Sequence, residues 1–347
     1  MSLDLSNFFL RLGRLTLYIV PFLLGCLLTY LLVSETLLGP VEPNSPLEVS
    51  FIVEKGANLR TIAKKLEREK LIKSWWAFYY AGKSKAEKSE KLIQAGEYKL
   101  SRNMSSLSIL KKILSAEVIY YRFTIPEGLR LSEIAERIAQ TGLIARIELE
   151  RAFSDPNILQ ELGIINNTLE GHLFPETYQF SRPIDARTIV LEMVNQGRKQ
   201  MTDEMISRSI EIGMPYYHVL ILASIIEKET GKPEERPIIS SVFHNRLRIG
   251  MPLQSDPTVI YGLKDFDGNL TKADLKRNTP YNTYTNVGLP PSPICSPGAS
   301  SIKAALYPAD SDYLYFVAKG DGSHHFSATL KEHNEAVAKH QKSIKLS

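Results

Sequence analysis

The chain has 347 residues with 44% apolar and 23% charged content, which is typical of a globular protein and excludes a disordered one. The formal net charge of +4 is small for this length and gives no basis for nucleic acid as a partner. The two cysteines, Cys26 and Cys295, form no disulfide framework, because Cys26 lies inside an apolar N-terminal stretch.

The first predicted element is an uncharged apolar segment from Leu15 to Ser34. Roughly 20 helical residues are enough to cross the hydrocarbon core of a bilayer, so we predict a membrane anchor. Arg11 and Arg14 precede the segment and Glu35 follows it. The positive-inside rule therefore places the N-terminus in the cytoplasm and the remaining chain outside.

Two alternatives to an uncleaved anchor are open. A signal peptide would have a shorter apolar core and a cleavage site of small residues, and the Ser-Glu-Thr of residues 34–36 is a poor site. Leu23-Leu24-Gly25-Cys26 resembles an imperfect bacterial lipobox, since its second position is Leu where a small residue is usual. Lipoprotein processing is therefore the second interpretation.

An internal repeat follows a Pro-rich linker, with copies at residues 51–66 and 123–138. Both copies place Phe, Gly, Leu, Ile and Ala at a constant offset, and each predicts a strand, a glycine turn and an amphipathic helix. Both contain the pattern G-x-x-L-x-x-I-A, which resembles the first half of a LysM module, a small glycan-binding unit. The alternative is a duplicated scaffold that only packs.

Glu227 follows the apolar run of residues 219–225. Apolar residues on every face predict a helix that is buried all round and ends at Gly231. Burial and the negative end of the helix dipole disfavour the ionised carboxylate. A neutral carboxyl group near neutral pH is the proton donor that glycosidic bond cleavage requires. A buried ion pair with Arg246 or Arg248 is the alternative, and the residues alone do not decide between them.

Glu229 lies two residues further on, roughly 200° around the helix, so we predict that the two carboxylates do not share one site. We assign Glu229 to structural support, through a hydrogen bond or an ion pair with Arg236. Arg246 is likewise assigned to structural support.

Polar and aromatic side chains are dense in the segments 169–178, 242–262 and 279–298. Such side chains suit a carbohydrate ligand, and a long ordered loop in a compact domain is often functional. The predicted substrate-binding residues are Glu170, Asn245, Gln254, Ser255, Asp256, Tyr261, Tyr281, Asn282 and Tyr284. For Asp256 the alternative is the N-cap of a helix with Pro257 at its first position.

Several signatures of other chemistries are missing from the sequence. The chain has no H-E-x-x-H zinc motif, no G-x-S-x-G nucleophile elbow and no P-loop. We therefore predict neither a metal nor a cofactor.

Six further motifs in the second half of the chain are specific enough to compare with known families. The matching segments are residues 222–230, 241–247, 253–259, 281–284, 288–291 and 313–317. With these motifs the chain resembles the YceG-like family of endolytic murein transglycosylases (MltG).

The resemblance implies a lyase that cleaves the MurNAc–GlcNAc β-1,4 bond within nascent glycan strands and terminates their elongation. It implies 1,6-anhydro-MurNAc ends and Glu227 as the catalytic residue. A single carboxyl group suffices, because the muramyl C6 hydroxyl attacks its own anomeric carbon. Peptidoglycan, the bacterial inner membrane and peptidoglycan synthases are the implied partners.

The predicted fold class is α+β, with a single transmembrane helix, a LysM-like α/β subdomain and a mixed α/β catalytic domain. The predicted parts are a cytoplasmic N-terminus (1–14), the anchor (15–35), a linker (36–47), the LysM-like region (48–160) and the catalytic domain (161–347), which is periplasmic. Two other functions stay open: a muramidase that uses water and a second carboxylate, Asp256 or Glu170, and a peptidoglycan-binding scaffold without activity.

Overall fold

The computed structural model describes residues 5–88 and 93–340. It divides into two compact units, Met1–Tyr121 with Phe180–Pro183 (unit 1) and Arg122–Gln179 with Ile184–Ser347 (unit 2). The described residues form many helices and three two-stranded sheets. This confirms a mixed α/β chain.

The chain begins with a long apolar helix, α1 (Leu5–Leu38), which contains the predicted anchor. Among the described residues, its stretch Ile19–Leu38 has a mean hydropathy of 1.8 and is long enough to cross a membrane. The side chains of residues 19–32 are exposed, as Phe22 illustrates at 70%. A surface of this kind fits a hydrocarbon environment better than water.

Unit 1 continues with a strand–helix–helix–strand arrangement and a further helix. Its elements are β1 (Glu48–Val53), α2 (Leu59–Arg68), α3 (Trp75–Lys88), β2 (Gly96–Ser101) and α4 (Ser106–Leu114). The two strands are antiparallel, with Phe51 opposite Tyr98, and both side chains are fully buried. Helix α2 buries the predicted apolar face and is capped by the Asn58 carboxamide, which accepts from the Thr61 N–H at 2.9 Å.

The second copy of the repeat has the predicted local structure. Its elements and those that complete it are β3 (Tyr121–Thr124), α5 (Leu131–Ala139), α6 (Arg146–Ala152), α7 (Pro156–Glu161) and β4 (Thr177–Phe180), and β3 pairs with β4. Gly56 and Gly128, the turn glycines of the two copies, both have φ +78°. This left-handed conformation favours glycine, which explains why both copies carry it at that turn.

The two copies lie on different sides of the division into units. The first copy belongs to unit 1, whereas residues 123–138 belong to unit 2. The predicted boundary at 160/161 therefore does not coincide with the division at 121/122. The second copy is packed into the unit that also contains Glu227.

The rest of unit 2 is built around one central helix. Its elements are α8 (Ala186–Gln200), α9 (Asp203–Glu211), α10 (Tyr216–Glu229), α11 (Arg236–Arg248), α12 (Asp256–Gly262), α13 (Ala299–Leu306), β5 (Tyr315–Ala318), β6 (His324–Ser327) and α14 (Leu330–His340), with 3-10 turns at Pro233–Glu235 and Asp274–Lys276. Helix α10 contacts α9, α11, α12 and α13. Its residues 219–226 are all buried, as predicted from apolar residues on every face.

Candidate active site

Glu227 lies in the last turn of α10, with a side chain that is only 6% exposed. Arg236 Nη2 donates to its Oε1 at 3.1 Å, and the backbone N–H of Gly298 donates to its Oε2 at 2.9 Å. Each carboxylate oxygen therefore has one defined donor. A carboxyl group held in this way is oriented before any ligand arrives.

The buried ion pair that the sequence left open exists, but with a different arginine. Arg236 is the first residue of α11, and a single 3-10 turn after α10 brings it back to Glu227. Arg246 instead donates to the carbonyl oxygens of Leu314 at 2.6 Å and Leu253 at 2.7 Å. Arg248 donates to the Asn245 side chain at 2.8 Å. Both residues predicted as partners of Glu227 thus hold other parts of the fold.

Glu127 is a second carboxyl group at this site, and sequence reasoning missed it. It belongs to the turn of the second repeat copy, and its Oε1 lies against Gly298, whose N–H donates to Glu227. Arg236 Nη2 lies 3.7 Å from its Oε2. Burial and the Glu227 charge raise the pKa of Glu127, and Arg236 opposes them. The two repeat copies differ in charge at this position, since the first copy has Lys55 where the second has Glu127. That difference was the signal in the sequence that could have pointed to Glu127.

The repeat turn is fastened to the proline-rich loop that precedes α13. The Gly128 N–H donates to the Ser296 carbonyl at 2.9 Å, and the Ser296 N–H donates to the Leu129 carbonyl at 2.8 Å. The loop is in turn fastened to α10, since the Ile294 N–H donates to Ser224 Oγ at 3.0 Å. The neighbouring Cys295 is fully buried. These contacts place Glu127, Glu227 and Gly298 together.

Glu229 is largely buried and has different partners from Glu227. Its carboxylate accepts a hydrogen bond from Ser255 Oγ, whereas Arg236 pairs with Glu227. Of the two interpretations given for Glu229, the structure therefore shows the hydrogen bond and not the ion pair with Arg236. Burial raises the pKa of Glu229 to about 7; the Ser255 bond lowers it, the Asp256 charge raises it and Arg246 lowers it.

A polar rim lies beside Glu229. The Tyr284 hydroxyl donates to Asp256 Oδ1 at 2.6 Å, and both side chains reach the surface. Helix α12 begins at Asp256, and its N-cap residue is Ser255. The N-cap role considered for Asp256 is therefore wrong. Gln254 is exposed and has φ +52°, with its N–H bonded to the Thr283 carbonyl at 3.0 Å.

A second polar group is centred on Glu170, which is only 4% exposed. Its carboxylate accepts from the Leu131 N–H at 3.2 Å and the Tyr261 hydroxyl at 3.1 Å. Burial raises the pKa of Glu170 to about 7, and these hydrogen bonds oppose the rise. The rings of Tyr261 and Tyr281 are 4.7 Å apart, and the Arg130 guanidinium lies 5.1 Å from the Tyr261 ring centre.

The two predicted asparagines are occupied inside the fold. The Asn245 amide donates to the carbonyl oxygens of Ser311 at 2.8 Å and Tyr313 at 3.0 Å. Asn282 is fully buried, and its amide donates to backbone carbonyls of the preceding loop, at 2.7 Å for Arg277. Both amides satisfy buried backbone groups, which are costly to leave unpaired.

A cavity lies near the other end of α10. Its volume is about 560 Å³, and its walls include His172, Tyr216 and Tyr217. Burial lowers the pKa of His172 to about 4, so this imidazole is neutral at ordinary pH. The cavity contains none of the predicted site residues. We place the candidate active site at Glu227, because proton transfer requires an oriented titratable group rather than volume.

The described residues contain no group of three or more His, Cys, Asp or Glu side chains that could hold a metal ion.

Comparison with known proteins agrees with the arrangement of motifs. The model of the YceG-like family matches residues 51–339. An endolytic murein transglycosylase of Bacillus subtilis (strain 168) is 35% identical over 328 residues, which are 89% of each chain. An endolytic murein transglycosylase of Streptococcus pneumoniae serotype 2 is 30% identical, over 90% of this chain and 61% of that protein. A crystal structure of a yceG-like protein from Listeria monocytogenes superimposes with a TM-score of 0.58 at 34% identity, over 84% of this chain and 99% of that one.

Proposed function

The chain belongs to the YceG-like family, and from that premise we propose that it is an endolytic lytic transglycosylase of peptidoglycan. It cleaves the β-1,4 bond between MurNAc and GlcNAc within nascent glycan strands and leaves 1,6-anhydro-MurNAc ends. The observation that carries the proposal is the Glu227 carboxyl group, which is buried at the end of α10 and oriented by Arg236 and the Gly298 N–H.

The mechanism uses Glu227 twice. Glu227 first donates its proton to the glycosidic oxygen, and the bond from that oxygen to the MurNAc anomeric carbon breaks. The C6 hydroxyl of the same MurNAc then forms the new bond to the anomeric carbon, and its proton returns to the Glu227 carboxylate. No water is consumed. Arg236 and the Gly298 N–H stabilise the carboxylate between the two steps.

Five of the predicted substrate-binding residues have polar or aromatic side chains that reach the surface and could contact a sugar. They are Gln254, Asp256, Tyr261, Tyr281 and Tyr284. We assign these to the glycan cleft, with Glu170 positioning Tyr261 through their hydrogen bond. Ser255, Asn245 and Asn282 are buried and bonded within the fold. We assign these three to structural support.

The anchor and the first repeat give the enzyme its location. We assign residues 1–14 to the cytoplasm, 15–35 to the inner membrane, 36–47 to a linker and the remainder to the periplasm, where peptidoglycan synthases deliver new glycan. The strand–helix–helix–strand arrangement of β1, α2, α3 and β2, with a core of its own, supports a LysM-like glycan-binding role. The catalytic region extends from residue 161 to the C-terminus and includes the Glu127 turn by contact.

Replacing the proton donor tests the function. Glu227→Gln keeps the shape of the side chain and removes the acid, so release of anhydro-muropeptides from uncrosslinked glycan should fall by at least about 100-fold. The products are measured by mass spectrometry. Glu335→Gln, an exposed residue of α14, is the matched control and should keep the parent rate.

The same measurement decides between the alternatives. A muramidase with Glu170 or Asp256 as second carboxylate would release a product heavier by one water. A scaffold without activity would release no product from the parent chain or from either variant. Full activity of Glu227→Gln would contradict the assignment of the catalytic residue.

A further inference from the structure

The Glu127 and Glu227 side chains form a carboxyl pair with a single guanidinium. Arg236 Nη2 lies 3.1 Å from Glu227 Oε1 and 3.7 Å from Glu127 Oε2. Gly298 also borders both groups, because its N–H donates to Glu227 Oε2 and Glu127 Oε1 lies where its side chain would be. Two carboxylates held against one guanidinium disfavour each other's ionisation, so the pair favours a state that holds one proton.

The charge balance favours the same state. Arg236 is 10% exposed and carries one positive charge, which neutralises one carboxylate. If Glu127 and Glu227 were both ionised, two like charges would be in contact, and this arrangement strongly disfavours the second ionisation. With one shared proton the three side chains sum to zero.

The other titratable groups at the pair do not change this balance. Lys228 is exposed and its ammonium donates to the Gly128 carbonyl at 3.3 Å, so water screens its charge. The Cys295 thiol is buried, and burial raises its pKa, so it is neutral. Arg236 is therefore the cation that directly contacts both carboxyl groups.

Gly298 keeps the two carboxyl groups together. Its N–H donates to Glu227 Oε2 at 2.9 Å, and a Cβ built on it would lie 1.7 Å from Glu127 Oε1. Its φ of −79° is one that any residue adopts, so glycine is needed here for space rather than for conformation. The Glu127 carboxyl group occupies the place where a larger residue would carry its side chain.

We propose that Glu127 is a positioning residue that shares one proton with Glu227 and so keeps that proton within reach of Glu227 when the glycan binds. This inference rests on the proposed function and deepens it. Glu127 is the more exposed partner, with a side chain that is 45% exposed against 6% for Glu227. It acts through Glu227: the proton passes to the glycosidic oxygen from Glu227 and returns to the pair when the C6 hydroxyl attacks.

The test is the pH dependence of anhydro-muropeptide release by the full chain from uncrosslinked glycan strands. Glu127→Gln donates an N–H to Glu227 and so favours its ionised form. The alkaline limb of the kcat profile should move to lower pH by about one unit, with kcat about 10-fold lower on that limb and KM changed less than twofold. The control Glu148→Gln, an exposed residue of α6, should keep the parent profile.

A second variant moves the Glu127 carboxyl group without removing it. Gly298→Ala leaves both acids intact, and its Cβ should displace the flexible end of Glu127 from Glu227. We expect a shift of the alkaline limb in the same direction as for Glu127→Gln. A loss of activity that is equal at all pH values in both variants, or an unchanged profile in both, would overturn the proposal.

A readout without turnover keeps the proposal distinct from the proposed function. In carboxyl ¹³C NMR with labelled glutamate, the wild type should show a coupled pair with one group titrating above the ordinary glutamate range. Glu127→Gln should abolish that titration. If both groups titrated independently in the ordinary range, the shared proton would be excluded. If the wild type released hydrolytic products, the proposed function would fail while the titration still reported on the pair.

Discussion

At the residue scale, unit 2 contains several acids whose surroundings differ sharply. Glu227 accepts hydrogen bonds from Arg236 and a backbone N–H, whereas Glu229, two residues on, accepts one from Ser255. Glu170 accepts a hydrogen bond from Tyr261 on a different segment. When neighbouring carboxyl groups lie in different environments, their pKa values can differ and they can take different roles. Here we assign proton transfer to Glu227 and packing to Glu229.

Glu229 predicts a pH dependence of stability. Its pKa is raised to about 7 in the folded chain, against about 4.3 in an unfolded one. Between these values the folded state binds more protons, so this contribution to stability is full below about pH 4.3 and is lost as the pH rises through 7. Its size is up to about 4 kcal/mol.

Urea unfolding at pH 5 and pH 7.5 measures this effect. Glu229→Gln, which is neutral at both pH values, should show a smaller fall of the urea midpoint than the parent chain. Glu335→Gln, an exposed glutamate of α14, should retain the parental fall. An equal fall in Glu229→Gln and the parent would show that Glu229 is ionised in the folded state at both pH values.

At the element scale, α10 organises the site. Its buried middle packs against four other helices of unit 2, and its last turn presents Glu227 and Glu229 in different directions. Ser224 ties the helix to the proline-rich loop: its Oγ accepts from the Ile294 N–H at 3.0 Å and donates to the Ile221 carbonyl at 2.7 Å. The loop then supplies the Gly298 N–H to Glu227.

Ser224→Ala should therefore affect both stability and activity. The variant leaves the buried Ile294 N–H without its acceptor, which costs about 1–3 kcal/mol. It also loosens the loop that carries Gly298, so kcat should fall. Thermal unfolding and product release measure the two effects. Ser207→Ala on α9, where the hydroxyl is exposed and bonds its own helix, is the control and should change stability by less than about 0.5 kcal/mol.

At the scale of the whole molecule, the chain combines an apolar N-terminal helix, a small βααβ unit and a larger helical unit. The helix α1 exposes apolar side chains along residues 19–32. A membrane-spanning helix gives effectively irreversible attachment. We propose that α1 is such an uncleaved anchor and that it limits the site to glycan near the membrane surface.

The anchor predicts how the chain fractionates. The full chain should sediment with membranes, resist extraction by salt and dissolve in detergent, and its intact mass should include residues 1–38. Cys26→Ser should leave attachment and mass unchanged. A chain that begins at Cys26 and carries a lipid mass, with attachment lost in Cys26→Ser, would establish lipoprotein processing. A soluble chain shortened near residue 34 would establish a cleaved signal peptide.

Local patterns in the sequence were sufficient for the elements. The apolar stretch before Glu35, the repeat with its turn glycines and the all-round apolar run before Glu227 each depend on residues close together in the chain. Helix and strand periodicity are local properties, so these predictions could be made without the fold. The turn at Gly128 and the buried span of α10 are both present as predicted.

The partners of the acids were decided only by the tertiary structure. Gly298 lies 71 residues from Glu227 in the chain, and Lys228 lies 100 residues from Gly128. Charge and burial at one position do not reveal which other side chains will reach it, so neither the Glu227–Arg236 pair nor the nearby Glu127 is predicted from the sequence. Sequence alone determined that the Glu227 carboxyl group would be buried. Packing of the repeat turn and the proline-rich loop against α10 determined that it shares its site with a second one.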